Sequence, residues 1–180
     1  MRYFRRYSSI ALLGMWAFAV GAAYAATDFL AQGGDWLDDN GKTVKLASWR
    51  GRQVILAMEY SNCRFLCSIT LKKLKEIQDE ADRRQLPLEF VIVSLDPTND
   101  TPAAWRNYRR IRRLSYPNWH FLTGGRALAD RMIAAMGVNW WVYDGHIMHD
   151  FKILRLTPDG VAAATMQAFD MSAAEFLTAR

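Results

Sequence analysis

Two cysteines four positions apart, Cys63 and Cys67, are the residues best suited to chemistry in this chain of 180 residues. They stand between an apolar stretch of strand length and a helical pattern that begins at Ser68, so they lie at the entrance to a helix. The partial positive charge of a helix N-terminus, to which Arg64 can add, favours the thiolate that attacks disulfides and binds soft metals. The pair can therefore close a disulfide or hold a metal ion. An inert bridge is the alternative, although one closing so short a loop would add little stability.

The chain has three histidines, His120, His146 and His149. His120 falls within a short predicted strand and is expected to be structural. The other two flank Ile147-Met148 directly before a predicted strand, a position suited to a site, although packing or surface roles stay open for both. Two thiolates and an imidazole suit copper(I), copper(II) or zinc. Met148 and Met58 offer further soft sulfur, but most methionines fill cores.

Strands and helices alternate along the chain, which predicts a layered α/β domain. Asn40-Gly41 predicts an N-terminal β-hairpin, and either Asp100 or Thr101 is expected to cap the helix that has Pro102 in its first turn. Further strands are predicted at 53–59, 88–95, 119–122, 151–157 and 162–166, and helices at 68–85, 102–113, 126–136 and 172–178. A buried strand that leads into a cysteine pair at a helix start is the thioredoxin-like arrangement. We therefore predict a thioredoxin-like fold, with a central mixed β-sheet flanked by helices.

Residues 1–25 have the composition of an export signal. Basic residues precede an apolar stretch, and Ala23-Tyr24-Ala25 follows it, so cleavage is expected after Ala25. The alternative is an uncleaved anchor, because the apolar run 10–26 has 17 residues, at the short end of the ~17–25 that span a bilayer. In both cases the domain 26–180 would lie outside the cytoplasm, in the periplasm or anchored to the inner membrane and facing the periplasm.

The overall charge argues against nucleic acid as a partner. The formal net charge is +5, but three arginines of the leader supply part of it, and the rest of the chain has 20 basic and 18 acidic residues. So small an excess of positive charge does not indicate a nucleic-acid-binding surface. A hydrophobic fraction of 51% with 23% charged residues is typical of one soluble folded domain, which we expect to be a monomer.

Five motifs in order resemble the SCO/SenC family of thioredoxin-like copper proteins over nearly the whole exported part. They are Trp49-Arg50-Gly51-Arg52, the loop from Tyr60 to Cys67, Val93-Ser94-Leu95-Asp96-Pro97 continuing to Asp100-Thr101-Pro102, Leu122-Thr123-Gly124, and His149 ahead of Pro158-Asp159-Gly160. The resemblance implies that Cys63, Cys67 and His149 bind a copper ion. It also implies a role at the dinuclear copper centre of cytochrome c oxidase, either delivering copper or reducing the cysteines of that centre.

The sequence departs from the family pattern at three positions. Arg64 and Ser68 stand where proline often follows each cysteine, and Met148 stands where many members have aspartate. We therefore assign no aspartate role beside the histidine, and we explain Asp96 and Asp100 by turns and helix capping.

Two hypotheses about function follow, with two weaker ones behind them. The first is a copper metallochaperone, which is not an enzyme in the strict sense and serves a copper-accepting oxidase subunit or a similar copper enzyme. The second is a periplasmic thiol–disulfide reductase that uses Cys63 and Cys67 on a copper-enzyme client and does not need His149. A thiol peroxidase would need a Pro-x-x-x-Thr-x-x-Cys arrangement, which the sequence does not contain. A pure interaction module leaves the cysteine spacing unexplained.

Overall fold

The computed structural model describes residues 26–63 and 67–179, with the backbone alone for residues 67 and 68. The predicted leader at 1–25 and the segment 64–66, which includes Arg64, lie outside the described residues. The strands are β1 (Trp36–Asp38), β2 (Thr43–Val44), β3 (Gln53–Glu59), β4 (Leu88–Ser94), β5 (Trp119–Thr123), β6 (Trp140–Tyr143), β7 (His146–His149), β8 (Ile153–Leu156) and β9 (Ala162–Met166). The α-helices are α1 (Cys67–Arg83), α2 (Pro102–Arg112), α3 (Arg126–Met136) and α4 (Ala173–Thr178).

Within the described part of the chain, seven strands form one mixed sheet in the order β2-β1-β5-β4-β3-β8-β9. The three central strands β3, β4 and β5 run parallel to each other, and the outer strands pair antiparallel. Nearly every residue of β3 and β4 is buried, as their continuous apolar sequences predict for strands covered on both faces. The carboxyl ends of β3 and β4 therefore share one edge of the sheet, and the cysteine loop follows β3 at that edge.

Successive side chains of β3 point to opposite faces of the sheet, so they contribute to two separate layers of the core. Val54, Leu56 and Met58 contribute to one apolar cluster, which α3 and the N-terminal segment cover. Ile55 and Ala57 contribute to the other, which lies under α1, α2 and α4. The buried face of α1 is formed by residues at helical spacing, namely Leu71, Leu74, Ile77 and Ala81. The layered α/β architecture and the hairpin of β1 and β2 predicted from Asn40-Gly41 are confirmed.

Local signals for helix ends are also confirmed. The Thr101 hydroxyl, and not Asp100, caps α2 by accepting a hydrogen bond from the Ala104 N–H at 3.2 Å. Gly137 ends α3 in the left-handed conformation, with a φ of 60°. Ser172 caps α4 through the N–H of Glu175.

Three segments of the sequence motifs have structural roles. A side-chain Cβ at Gly124 would lie 2.9 Å from the buried Trp36 ring, so only glycine allows this close approach. Arg50 donates to the Asp159 carbonyl at 2.9 Å and pairs with Asp28, which joins the Trp49–Arg52 motif to the Pro158–Gly160 turn. These motifs hold the N-terminal segment and the β8–β9 turn against the sheet.

One element is new to the sequence analysis. Residues 140–149 form a separate antiparallel hairpin of β6 and β7, joined by Asp144-Gly145 with φ angles of 48° and 70°. Asp-Gly is a strong signal for such a two-residue turn, but the four residues of β6 are exposed and lack the alternation of a half-buried strand. The strand predicted at 151–157 is correspondingly shorter, at Ile153–Leu156.

Candidate metal and redox site

The cysteine loop begins where β3 ends. A turn closes it at once, with the Cys63 N–H donating to the Tyr60 carbonyl at 3.2 Å. The helix α1 starts at Cys67, one residue before the predicted start at Ser68, so the second cysteine lies at the entrance to the helix as expected. This places the backbone of position 67 at the helix N-terminus, where the partial positive charge of the helix is concentrated.

Cys63 is buried, with 4% of its surface exposed, and belongs to the apolar cluster that includes Met58, Tyr60 and Val138. It is disulfide-bonded, and Cys67 is the only other cysteine of the chain. No free cysteine occurs among the residues that the structure describes. The environment of Cys63 therefore excludes water from the first sulfur of the pair.

Asp100 anchors the cysteine loop to β4. Its Oδ1 accepts from the Ser61 N–H at 2.7 Å, and its Oδ2 accepts from the Ser94 hydroxyl at 2.5 Å. The carboxyl is completely buried, and burial raises its pKa above the ordinary value while the two serines oppose that rise. The capping explanation expected for Asp100 is thus wrong, since Thr101 caps α2. Asp96 does fit a turn, because its carbonyl accepts from the N–H groups of Asn99 and Asp100.

Arg112 provides a second brace from α2. Its Nη2 donates to the Cys63 carbonyl at 3.3 Å, and its guanidinium lies 5.5 Å from the centre of the Tyr108 ring. The sequence analysis missed this residue, because nothing in an arginine-rich helix distinguishes the one arginine that turns towards the cysteine loop. Arg112 adds positive charge beside the pair, which is the effect that had been expected of Arg64.

His149 lies at the end of β7 with only 3% of its surface exposed. Its Nδ1 is 2.9 Å from the Asp150 carbonyl. A carbonyl can only accept, so Nδ1 carries the proton and the lone pair of the neutral ring is on Nε2. Burial lowers the pKa of His149. The imidazole is therefore neutral at physiological pH, the form that binds metals.

Successive side chains of β7 point to opposite faces of the hairpin, and one of these faces turns towards the protein body. Ile147 packs against the apolar cluster that contains Cys63, and His149 shares its face of the strand. The backbone of Ile147 is also a hydrogen-bond partner of the Tyr60 hydroxyl. The hairpin thus lies against the base of the cysteine loop, with His149 on the inner face.

Of the two methionines expected near the site, Met58 packs in the apolar cluster that contains Cys63, and Met148 lies on the outer face of the hairpin. His146 and Met148 occupy the other face of β7, where they line a small cavity of about 160 Å³ with Tyr143 and Asp144. Met58 is buried in the core of the sheet. Met148 therefore does not share a face with His149.

His120 is structural, as predicted. Its Nε2 is 2.8 Å from Glu89 Oε2, and its ring packs on Trp49 with 5.0 Å between centroids. Both partners lie near the amino ends of β3 and β4, away from the cysteine loop.

Among the described side chains, no three from His, Cys, Asp and Glu are grouped so as to hold a metal ion. The side chain of Cys67 lies outside the described residues. Nor does any described helix have the length and apolar character needed to cross a membrane.

Two buried polar groups near α1 were missed from the sequence. Neither carboxyl oxygen of Glu59, nor the hydroxyl of Thr70, has a hydrogen-bond partner, although the two groups are close to each other. The glutamate was hidden because it ends an apolar strand, where an outward-facing carboxylate is the ordinary expectation.

Fold and site define a class: a thioredoxin-like α/β domain with a cysteine loop between a central strand and a helix, and a histidine hairpin beside it. The SCO1/SenC family model matches residues 27–177. The chain belongs to this family.

Two named relatives agree with this family assignment. The chain is 28% identical over 87 residues to the SCO1 protein homolog of Bacillus subtilis, covering 48% of this chain and 45% of that protein. It is 28% identical over 137 residues to the mitochondrial protein SCO2 homolog of Bos taurus, covering 69% of this chain and 49% of that protein. The chain thus spans about half the length of these two relatives.

Solved structures share the fold. Bradyrhizobium japonicum ScoI with copper bound superimposes with a TM-score of 0.64 at 24% identity, over 78% of this chain and 90% of that one. BsSco, described as a Sco-family cytochrome c oxidase assembly protein with a disulfide switch, gives 0.70 at 18% identity, over 87% of this chain and 98% of that one.

Proposed function

We propose that this protein binds a copper ion through Cys63, Cys67 and His149. We further propose that it delivers the copper to the dinuclear copper centre of cytochrome c oxidase or prepares the cysteines of that centre. The observation that carries the proposal is His149, a buried neutral imidazole on the inner face of a hairpin that packs against the cysteine loop. Family membership and a relative with copper bound support the choice of ion.

The donor atoms suit copper as cargo. Two thiolates and an imidazole nitrogen are soft or borderline ligands, which favour copper over hard cations. Each thiol must lose its proton on binding, and the N-terminus of α1 together with Arg112 favours that loss. The bond from His149 Nδ1 to the Asp150 carbonyl fixes the ring orientation, as outer partners do in metal sites.

Titration of the purified, reduced protein with copper(I) and copper(II) tests the proposal. We expect Cys63→Ala/Cys67→Ala to abolish binding. His149→Ala should weaken copper(II) binding by more than the ~10–100-fold that loss of an outer partner costs. His146→Ala is the matched control, because it alters the same strand on the opposite face. Equal binding by the wild type and the double cysteine variant would refute the copper function.

A thiol–disulfide reductase is the second candidate, favoured by the disulfide at Cys63. In that case the dithiol form would transfer two electrons to a disulfide of the client, and the pair would return to the oxidised form. Reduction of an oxidised copper-centre fragment that survives His149→Ala, but not either cysteine variant, would favour this function over metal delivery.

The location of the protein is also part of the proposal. We propose that residues 1–25 direct the domain to the periplasm, either cleaved after Ala25 or retained as an anchor through residues 10–26. N-terminal sequencing of the protein from fractionated cells distinguishes these forms. A cytoplasmic, full-length protein would contradict both.

A further inference from the structure

Helix α2 has a concentration of positive charge that the proposed copper chemistry does not explain. Between Asp100 and Asp130 the chain has six arginines and no acidic residue. Five of these arginines fall within 106–113, which covers the second half of α2 and its C-cap. The small net charge of the whole chain therefore conceals one strongly basic segment.

Only part of this charge is used inside the protein. Arg109 pairs with Asp39 at 2.9 Å and donates to three backbone carbonyls, so it holds α2 on the rest of the domain. Among the ion pairs formed between described residues, only this one involves α2. Arg106, Arg110 and Arg113 are exposed. Their charges are therefore available to a partner with carboxylates of its own.

A small cavity separates α2 from the cysteine loop. Its volume is about 230 Å³, and none of its described lining residues is acidic. Two residues of the cysteine loop line one side and α2 lines the other, namely Ser61 and Asn62 opposite Asn107, Tyr108, Ile111 and Arg112. The cavity therefore opens between the basic helix and the loop that contains the first cysteine.

An apolar side chain stands among the arginines at this cavity. Ile111 is 60% exposed, and its neighbours in the chain are Arg110 and Arg112. The Arg110 Nη2 donates to the Asn107 Oδ1 at 2.8 Å, which holds its guanidinium at the rim of the cavity. Arginine and tyrosine are enriched in the residues that dominate binding energy at protein interfaces. The composition of this surface is thus that of a protein-binding site.

The surface is continuous with the candidate metal site. Arg112 lines the cavity and also donates to the Cys63 carbonyl at 3.3 Å. Ser61, on the opposite wall, is two residues before Cys63. A partner segment seated in the cavity would therefore lie against the cysteine loop itself.

We propose that the C-terminal half of α2, together with Ser61 and Asn62, docks an acidic segment of the client protein, and that one apolar side chain of this segment packs beside Ile111. The inference rests on the proposed function, which supplies the client.

Charge complementarity selects the chemistry of this partner. A carboxylate accepts two parallel hydrogen bonds from a guanidinium, so acidic side chains satisfy exposed arginines well. The cavity adds room for an apolar side chain between those charges. Complementary charge also raises the rate of encounter and orients the partner, which here would bring its copper-accepting site towards Cys63.

Equilibrium binding to the soluble copper-centre domain of cytochrome c oxidase tests the proposal. We expect Arg110→Gln/Arg113→Gln to weaken binding about 3–10-fold at low salt, the size of two exposed ion pairs. The effect should largely disappear at about 0.5 M salt, where screening is strong. Ile111→Ser should weaken binding at both salt concentrations, because it removes an apolar contact.

Arg131→Gln/Lys45→Gln is the matched control. It removes the same charge from two exposed side chains on α3 and the N-terminal segment, which cover the opposite layer of the core. This control should bind the oxidase domain as the wild type does. Copper(II) binding by every variant should stay at the wild-type level, because Arg112 is left in place beside Cys63.

A synthetic peptide with one leucine between glutamates tests the surface without the oxidase. We expect the amide NMR signals of Ser61, Asn62 and Ile111 to shift on titration with this peptide. The shifts should be lost when serine replaces the leucine of the peptide, and also in the protein variant Ile111→Ser.

The possible results separate this inference from the copper function. Equal binding of the oxidase domain by the wild type and Arg110→Gln/Arg113→Gln, with normal copper binding, would overturn the inference alone. An equal loss in the matched control would also overturn it, since net charge would then be the cause. Binding to phosphatidylglycerol vesicles without peptide shifts would overturn it in favour of a lipid surface. Peptide shifts at the cavity without any binding of the oxidase domain would support the docking surface and refute the proposed client.

Discussion

Replacing Glu59 with glutamine should remove a pH-dependent loss of stability from the folded protein. The carboxyl is buried without hydrogen bonds, and burial raises its pKa well above the ordinary value. The effect concerns folding alone. Glutamine keeps the size of the side chain but has no proton to lose.

The sign follows from the protons held by each state. In the unfolded chain Glu59 ionises near a pKa of about 4.3, whereas the folded protein still holds the proton above that pH. The folded state therefore binds more protons, and the free energy of unfolding falls as pH rises. A single proton sets the slope at up to about 1.4 kcal/mol per pH unit, until the raised pKa of the folded state is passed.

Urea denaturation of the oxidised protein at a series of pH values between about 5 and 8 measures this slope. The difference in unfolding free energy between Glu59→Gln and the wild type should grow with pH. The unpartnered amide of glutamine adds a penalty of its own, but that penalty is the same at every pH. Glu76→Gln on α1 should show no such growth, since that carboxylate is paired with Lys73 at the helix surface.

A constant difference between Glu59→Gln and the wild type over this range would refute the reasoning. It would mean that Glu59 is ionised in the folded protein, with water or a cation compensating its charge. The proton attributed to it would then be absent at neutral pH.

Three further changes should each lower the unfolding free energy in denaturant titrations. Asp100→Ala should cost about 1–3 kcal/mol for each group that it leaves unsatisfied, namely the Ser61 N–H and the buried Ser94 hydroxyl, whereas Asp100→Asn should cost less. A loss below about 1 kcal/mol for the alanine variant would contradict the brace. Gly124→Ala should cost about 1–3 kcal/mol because its Cβ would lie 2.9 Å from the buried Trp36 ring, and a neutral result would show that the ring can move. Thr101→Ala should cost about 1 kcal/mol as a lost helix cap, with Thr101→Ser as the conservative control that restores most of it.

The family motifs divide into structural and chemical parts once their contacts are known. The Trp49–Arg52 motif and the turn at Pro158–Gly160 hold each other through Arg50. The aspartate of the Asp-Thr-Pro stretch, Asp100, braces the cysteine loop. Of these motif residues, Asp100 positions the cysteine loop, while Arg50 joins the N-terminal segment to the β8–β9 turn.

Local and periodic features were open to prediction from the sequence. Apolar runs such as 53–59 and the helical spacing of Leu71, Leu74 and Ile77 identified the central strands and the first helix. A cap at Ser172, and one at either Asp100 or Thr101, were expected from short-range chemistry alone. Such features depend on residues a few positions apart, so the chain order contains the information.

Only the tertiary structure decided which side chains at the site share a face and which lie buried. Arg112, Asp100 and Glu59 are polar residues whose roles depend on packing between β3, β4 and α2, and no spacing in the sequence reports that packing. The separate hairpin likewise settled that His149 faces inward while Met148 faces away. Burial raises the pKa of the Glu59 carboxyl and lowers that of the His149 imidazole, because desolvation depends on what surrounds a group in three dimensions.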